Sequence, residues 1–197
     1  MRRRTFDALM TVAGVVLAVV LTVAGGLLFW AHSFVADQVT TQLSSQQIYF
    51  PDKGSDALND PAVKPYLSQY AGQQLTTGPQ ARAYADHFIA VHLKEMTGGQ
   101  TYAQLSAKAM ANPDDQKLAG LVATVFKGET LRGLLLNAYA FDTMATVAGI
   151  AALVAFGAAG VMLLLSVLGF VHARRTDEVE ELGSSRQPTT SAKPVTA

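Results

Sequence analysis

The sequence predicts an all-α membrane protein in which two transmembrane helices flank an extracytoplasmic helical bundle. The chain is 50% hydrophobic and only 15% charged, against about 25% charged residues in soluble proteins, and two long segments lack any ionisable side chain. This composition excludes a basic nucleic-acid-binding protein and a highly charged disordered chain. Because the chain contains no cysteine, disulfides, thiolate metal sites and cysteine nucleophiles are excluded as well.

The first transmembrane helix is predicted at residues 9–31, after a cytoplasmic N-terminus of residues 1–8. No acidic residue, lysine or arginine occurs between Ala8 and Phe34. At a rise of about 1.5 Å per residue, the apolar run is about 33 Å long, which is enough to cross a hydrocarbon core of about 30 Å. We expect Trp30 to lie at the far membrane interface.

The second transmembrane helix is predicted at residues 143–171, because the run from Ala145 to Val171 again lacks ionisable side chains. Residues 172–197 form a predicted cytoplasmic tail, rich in serine, threonine, proline and glutamate and therefore expected to be disordered. The segment between the two spans, residues 32–142, is the predicted extracytoplasmic helical domain.

The basic residues beside the spans predict the orientation of the chain. Arginines at positions 2–4 precede the first span, and His172, Arg174 and Arg175 follow the second. The positive-inside rule then places both termini in the cytoplasm of a bacterium, with the chain crossing the plasma membrane twice. The alternative is a cleaved signal peptide ending near Ala31, although signal peptides have apolar cores of only about 7–15 residues.

Small residues in the second span predict a helix-packing face. Ala148, Ala152, Ala155 and Ala159 recur at helical spacing, which allows two helix backbones to approach closely. The partner of this face is either the small residues of the first span or a second copy of the chain, in a homodimer or a larger membrane complex. Neither span carries an ionisable group in its centre, which argues against an ion path.

The first half of the outside domain contains a loop and the start of a helix. Residues 48–51 form an extended aromatic patch, followed by a turn-rich loop to Pro65. Thr77 is the expected helix cap with Pro79 in the first turn, and Gly98 ends the helix. The apolar stripe of that helix consists of Ala81, Tyr84, Ala85, Phe88, Val91 and His92.

Two further helices are predicted in the second half of the domain. Thr101 and Gln104 have the spacing of a capping box, which opens a helix to about Ala111. Asn112 is then expected to cap the next helix, which is interrupted at Gly128 before a final helix continues into the second span.

No constellation of residues in the sequence predicts an enzyme, a metal site or a cofactor site. Asp86, His87, His92 and Glu95 are the best candidates, but an α-helix places the two histidines about 140° apart. The chain also lacks a nucleophile elbow and a phosphate-binding loop.

Aromatic and imidazole side chains of the domain form the predicted partner or ligand surface. The residues assigned to it are Tyr49, Phe50, His87 and His92. The alternative is that these side chains fill the core of the bundle, as aromatic residues at helical spacing usually do.

Four segments, residues 46–51, 70–73, 84–89 and 128–139, resemble uncharacterised two-span integral membrane proteins of actinobacteria. The resemblance covers about residues 5–175 and implies a bacterial plasma-membrane protein, with no activity to carry over. Together with the layout, it predicts a non-enzymatic binding, scaffolding or accessory-subunit role in the bilayer, without nucleic acid. The alternative is a receptor-like sensory module that signals through a separate cytoplasmic partner.

Overall fold

The computed structural model describes residues 3–175, and this part of the chain is helical apart from its connections. The structure is 83% helix, and the described residues contain no β-strand. Both observations confirm the all-α prediction. The predicted cytoplasmic tail lies almost wholly outside the described residues. The elements in chain order are α1 (Arg3–Ser45), α2 (Asp56–Asn59), α3 (Lys64–Leu67), a 3₁₀ turn (Ser68–Tyr70), α4 (Gly78–Tyr84), a π-helical segment (Ala85–Ile89), α5 (Ala90–Thr97), α6 (Tyr102–Ala111) and α7 (Gln116–Arg175).

Two of these helices are long and apolar enough to cross a membrane. The apolar stretches lie within Phe6–Ser45 of α1 and Gln116–His172 of α7, with mean hydropathy of 2.6 and 2.5. Both predicted spans therefore fall on continuous helices of sufficient length. Most of the apolar side chains in these stretches are exposed rather than packed inside the protein.

The chain divides into two compact units. The first, here called the helix-pair unit, contains residues 1–27 and 152–197, of which 3–27 and 152–175 are described. The second, the bundle unit, contains residues 28–151.

In the helix-pair unit, the beginning of α1 packs antiparallel against the end of α7. A Cβ atom added at Gly14 would lie 2.3 Å from Ser166 Oγ, and one added at Gly25 would lie 2.9 Å from Cε1 of Phe156. The inward positions of α1 alternate in steps of four and three residues, which is the repeat of a coiled-coil seam. They are Asp7, Thr11, Gly14, Ala18, Leu21 and Gly25. Small residues at this seam allow the two backbones to approach closely.

The bundle unit has a hydrophobic core to which each of its α-helices contributes side chains. Val63, Leu67 and Leu75 are completely buried, and Phe50 packs against Tyr70 and Tyr84 with ring centroids 5.1 and 5.4 Å apart. The other buried members are Val39, Leu43, Leu58, Ala81, Ala85, Ile89, Leu93, Leu105, Val125 and Leu135. Burial also raises the pKa of the Tyr84 hydroxyl above its ordinary value of 10.0, because the phenolate loses solvation.

Two backbone segments close the loop that carries α2 and α3. Leu75 N–H donates to the carbonyl of Ile48 at 2.8 Å, and Phe50 N–H donates to the carbonyl of Gln73 at 2.9 Å. Tyr49 and Gln74 form an isolated antiparallel bridge between these contacts. The predicted extended patch after α1 is therefore paired with the segment before α4, which satisfies its backbone groups.

Helix α4 begins and α5 ends where the sequence predicts. The capping box of Thr77 and Gln80 is complete, Pro79 lies in the first turn, and Gly98 ends α5 in the left-handed conformation at φ 60°. Between them lies the π-helical segment, which the sequence pattern did not indicate.

The π-helical segment explains which residues of this region are buried. Every fourth residue is buried, at Ala81, Ala85, Ile89, Leu93 and Thr97. In a regular α-helix, positions four apart rotate by about 40° at each step, so five of them could not face one core. The π turn contains more residues than an α turn and therefore removes part of this cumulative rotation. Ile89 and Leu93 therefore belong to the core, although the predicted stripe omitted them.

The last two helices confirm one predicted boundary and correct two others. Thr101 and Gln104 form the capping box of α6. Asp115, rather than Asn112, caps α7, because Leu118 N–H donates to its carboxylate at 3.0 Å. The predicted interruption at Gly128 is wrong, since α7 is one helix of 60 residues. Gly128 instead makes room for Leu93, whose Cδ2 would lie 2.7 Å from an added Cβ.

Candidate functional site

The aromatic pair of the predicted partner surface divides between the core and the solvent. Phe50 is only 2% exposed and belongs to the core of the bundle unit, so it cannot contribute to an exposed surface. Tyr49 is 58% exposed. Their backbone explains this, because neighbouring residues in an extended segment point to opposite sides. The predicted surface therefore keeps Tyr49 and loses Phe50.

The two predicted surface histidines have different aromatic neighbours. The ring of His87 stacks on Tyr66 with centroids 3.5 Å apart and planes 4° from parallel. His92 donates from Nδ1 to the carbonyl of Phe88 at 2.8 Å and packs against the Phe88 ring. Neither histidine joins a group of three or more metal-ligating side chains anywhere in residues 3–175. Each imidazole thus has a packing partner of its own.

Asp86 of the π-helical segment is held between two arginines. Its Oδ1 lies 3.3 Å from Nη2 of Arg132 on α7, and its Oδ2 lies 3.7 Å from Nε of Arg82. Arg82 also donates to the hydroxyl of Tyr139 at 2.9 Å, and Arg132 pairs with Glu129. The carboxylate is about one-third exposed, so this cluster ties α4 to α7 without forming an enclosed acid–base site.

The bundle unit contains a groove between α1 and α7, here called the glutamine groove. It encloses about 520 Å³, which is within the range of about 300–1,000 Å³ for ligand sites. The lining residues are Phe34, Val35, Gln38, Val39, Gln42 and Leu43 of α1, Gln46 of the turn after it, and Leu131, Leu134, Leu135, Asn137, Ala138 and Phe141 of α7.

The glutamine groove combines an apolar floor with an amide rim. Val39, Leu43 and Leu135 are buried in its floor. Phe34, Leu134 and Phe141 are large apolar residues that remain 51%, 61% and 54% exposed. Gln38 and Gln42 of α1, Gln46 just after it and Asn137 of α7 supply the polar groups, and no charged side chain lines the groove. Such a lining suits an apolar occupant that also offers hydrogen-bonding groups.

Sequence reasoning missed the glutamine groove because its walls come from helices about one hundred residues apart in the chain. The sequence feature that could indicate the groove lies on α1, where Val35, Val39 and Leu43 share one helix face beside Gln38 and Gln42. That pattern indicates a polar helix with one apolar seam.

A histidine fixes α1 to α7 at one end of the bundle unit. His32 Nδ1 donates to the carbonyl of Ala145 at 2.7 Å. Its ring lies over Gly149, where an added Cβ would be 3.0 Å from Nδ1. Gly149 is therefore needed for the close approach of the imidazole, and a larger side chain there would displace it.

The predicted helix-packing face on α7 is occupied within the chain itself. Ala152 and Ala159 are buried in the helix-pair unit, and Ala148 and Ala155 are half-buried. Ala145 and Ser166 continue the same seven-residue spacing and are also buried. In the same unit, Gly14 and Gly25 of α1 lie beside Ser166 and Phe156 of α7.

Comparison of the chain with protein-family models, with curated proteins and with solved structures gives no match.

Proposed function

We propose that the chain is an integral protein of a bacterial plasma membrane that presents its bundle unit outside the cell membrane, with both termini in the cytoplasm. The observation that carries this proposal is the exposure of large apolar side chains around the helix-pair unit. Leu153, Leu164 and Leu168 are each about two-thirds exposed, whereas soluble proteins rarely expose apolar patches beyond a few hundred Å². A bilayer removes this surface from water, and the flanking basic residues set the orientation.

The bundle unit acts as a non-enzymatic binding or scaffolding module, in the manner of an accessory subunit. Supporting this role are the glutamine groove and the exposed aromatic residues Tyr49 and Tyr66. Of the candidate reactive side chains, Asp86 lies between two arginines and His87 stacks on Tyr66. The module therefore offers contact surfaces rather than a reactive centre.

Cysteine labelling tests the orientation cleanly, because the chain contains no cysteine. Lys53→Cys places a thiol on the loop after α1, and Ser191→Cys places one in the predicted tail. In spheroplasts, a membrane-impermeant maleimide should label the first variant at once and the second only after permeabilisation. The reverse pattern, or equal labelling of both variants, would refute the proposed orientation.

Photocrosslinking in native membranes tests the binding role. A photoreactive phenylalanine analogue at Tyr49, or at Tyr66 beside His87, should form one discrete adduct with a partner. The matched control is the same analogue at Met110 on α6, which is 75% exposed and lies away from both aromatic residues in the sequence. Adducts that are absent at every position, or equally strong at Met110, would contradict a binding role for this surface.

A receptor-like sensory module is the second candidate function. It is favoured by the continuity of α1 and α7, since each helix contains both a stretch able to cross a membrane and a wall of the glutamine groove. A sensor of this kind needs a cytoplasmic partner for its tail. Deletion of residues 176–197 should then abolish a signalling response while membrane insertion is retained, whereas a scaffold would still bind its outer partner.

A further inference from the structure

We propose that the helix-pair unit binds one phospholipid with a primary-ammonium headgroup at its cytoplasmic end. This inference rests on the proposed insertion of the chain in a membrane, which surrounds the unit with lipid. The site is a cleft between the beginning of α1 and the end of α7, here called the aspartate cleft. It encloses about 460 Å³ and is lined by residues drawn from positions 7–17 and 162–172.

Two polar atoms of the aspartate cleft are buried without a hydrogen-bond partner in the described part of the chain. They are Oδ2 of Asp7 and Oγ of Ser166. Ser166 is only 5% exposed, and its hydroxyl fills the space that a Cβ on Gly14 would need. The hydroxyl of Thr11 does not pair with the carboxylate, because it donates to the backbone carbonyl of Asp7 at 2.8 Å. A bound molecule that pairs with both atoms would therefore stabilise the unit.

The remainder of the aspartate cleft is apolar and exposed on the outside of the helix pair. Met10, Leu17 and Leu165 line the cleft, and each is about half exposed. With the chain inserted as proposed, this exposed surface contacts the hydrocarbon chains of lipids. A lipid therefore reaches the cleft from the side, and its acyl chain packs against these residues.

The two unpaired atoms lie at different depths in the membrane. Asp7 precedes the predicted start of the first span, residue 9, by two residues and therefore lies at the level of the headgroups. Ser166 lies beside Gly14, which is seven residues or about 10 Å further along α1. A phospholipid carries its headgroup at the outer of these levels and its ester carbonyls nearer the acyl chains. Its ammonium can thus donate to Asp7 Oδ2 while an ester carbonyl accepts from the Ser166 hydroxyl.

Charge and hydrogen bonding at Asp7 select the headgroup. A primary ammonium is opposite in charge to the carboxylate and supplies N–H donors for Oδ2. A trimethylammonium group has the same charge but no N–H donor, so Oδ2 would stay unpaired. A headgroup without a cation would place only a phosphate beside the carboxylate. The basic residues that flank both spans favour a phosphate at the same membrane surface, so a zwitterionic lipid with a primary ammonium matches both charges.

Native mass spectrometry of the purified chain in detergent tests the proposal. The probe is an equimolar mixture of phosphatidylethanolamine, phosphatidylcholine and phosphatidylglycerol with identical acyl chains. We expect the complex with one phosphatidylethanolamine to be about tenfold more abundant than the phosphatidylcholine complex, because only the first lipid pairs the buried carboxylate. Asp7→Asn should lower this ratio several-fold. Asp37→Asn, the same change at an exposed position of α1 outside the cleft, should leave the ratio unchanged.

A bulky side chain in the aspartate cleft should exclude the lipid whatever its headgroup. Ala13 lines the cleft and is exposed, so Ala13→Phe fills the path of the acyl chain while α1 and α7 stay packed together. We expect all three lipid complexes to fall several-fold. Val16→Phe is the matched control, because Val16 is exposed on α1 outside the cleft. Unchanged helical circular dichroism spectra check the fold of each variant.

Three results would overturn the proposal. Equal abundance of the phosphatidylethanolamine and phosphatidylcholine complexes means that the chain does not recognise the headgroup. A preference that survives Asp7→Asn means that another residue recognises it. Lipid complexes that are unchanged in Ala13→Phe mean that the lipid binds outside the cleft. A failure of the proposed function is distinguished from these results, because a chain that does not insert in membranes would be recovered in the soluble fraction without detergent.

Discussion

Replacement of Gly128 on α7 by alanine should destabilise the folded chain, although alanine is the better helix former. An added Cβ would lie 2.7 Å from Cδ2 and 3.1 Å from Cδ1 of Leu93, and Leu93 is a buried member of the core. Alanine in place of a helical glycine gains about 1 kcal/mol, whereas overpacking a well-filled core costs about 1–3 kcal/mol. The expected net result is a loss of about 1 kcal/mol.

The same helix supplies two matched controls. Gly120 and Gly133 have no atom within 4 Å of an added Cβ, so Gly120→Ala and Gly133→Ala should stabilise the chain by about 0.5–1 kcal/mol each. Thermal unfolding of the purified chain in detergent, followed by circular dichroism, reports the sign. About 1 kcal/mol corresponds to about 2–4 °C in Tm at this chain length.

A rescue experiment separates crowding from other causes. Leu93→Ala removes the atoms that an added Cβ at Gly128 would meet, so Gly128→Ala should be less harmful in that background. The reasoning fails if Gly128→Ala raises Tm as much as the two control substitutions do. It also fails if Leu93→Ala and Gly128→Ala lower Tm additively.

Three further predictions concern single side chains of the bundle unit. Burial raises the pKa of the Tyr84 hydroxyl above 10.0, so the contribution of this group to stability is complete below pH 10 and is lost as pH rises through the folded-state pKa. Tyr84→Phe should therefore lessen the fall in Tm at alkaline pH, and equal falls in both proteins would contradict this. Asp86→Asn removes both arginine pairs and should cost about 0.5–1 kcal/mol at low salt and less near 1 M salt, with Glu129→Gln as the weaker control. Asp115→Ala should cost about 1 kcal/mol and speed amide exchange in the first turn of α7, whereas Asn112→Ala should leave that turn protected.

Helix boundaries that depend on neighbouring residues could be predicted from the sequence. The capping boxes at Thr77 and Thr101 need only a hydroxyl and a glutamine three residues later, and both form. Asn112 carries an equally good local signal, but its amide already donates to the carbonyl of Lys108 at the end of α6. Asp115 instead caps α7, three residues further along the chain. The ends of α6 and α7 thus compete for the side chain of Asn112, and the local sequence of either helix alone does not show this competition.

Features that depend on distant residues could not be predicted in this way. Gly128 has the appearance of a helix stop, yet it stays helical because Leu93 of another helix fills the space beside it. Ile89 was omitted from the predicted stripe because the stripe assumed 3.6 residues per turn through a segment that is π-helical. The glutamine groove needs α1 and α7 to meet, and neither helix alone indicates a cavity.

The π-helical segment also marks a point at which the length of this chain can change. It is equivalent to one extra residue accommodated within a helix, and a one-residue deletion between Ala85 and Ile89 would restore a regular α-helix. The residues on either side would keep their faces, so that Leu93 would stay beside Gly128 while Ala81 kept its place in the core. A one-residue deletion in the regular turns of α4 or α5 would instead rotate the following residues by about 100°. A deletion inside the π-helical segment is therefore expected to disturb the packing of the bundle less than one on either side of it.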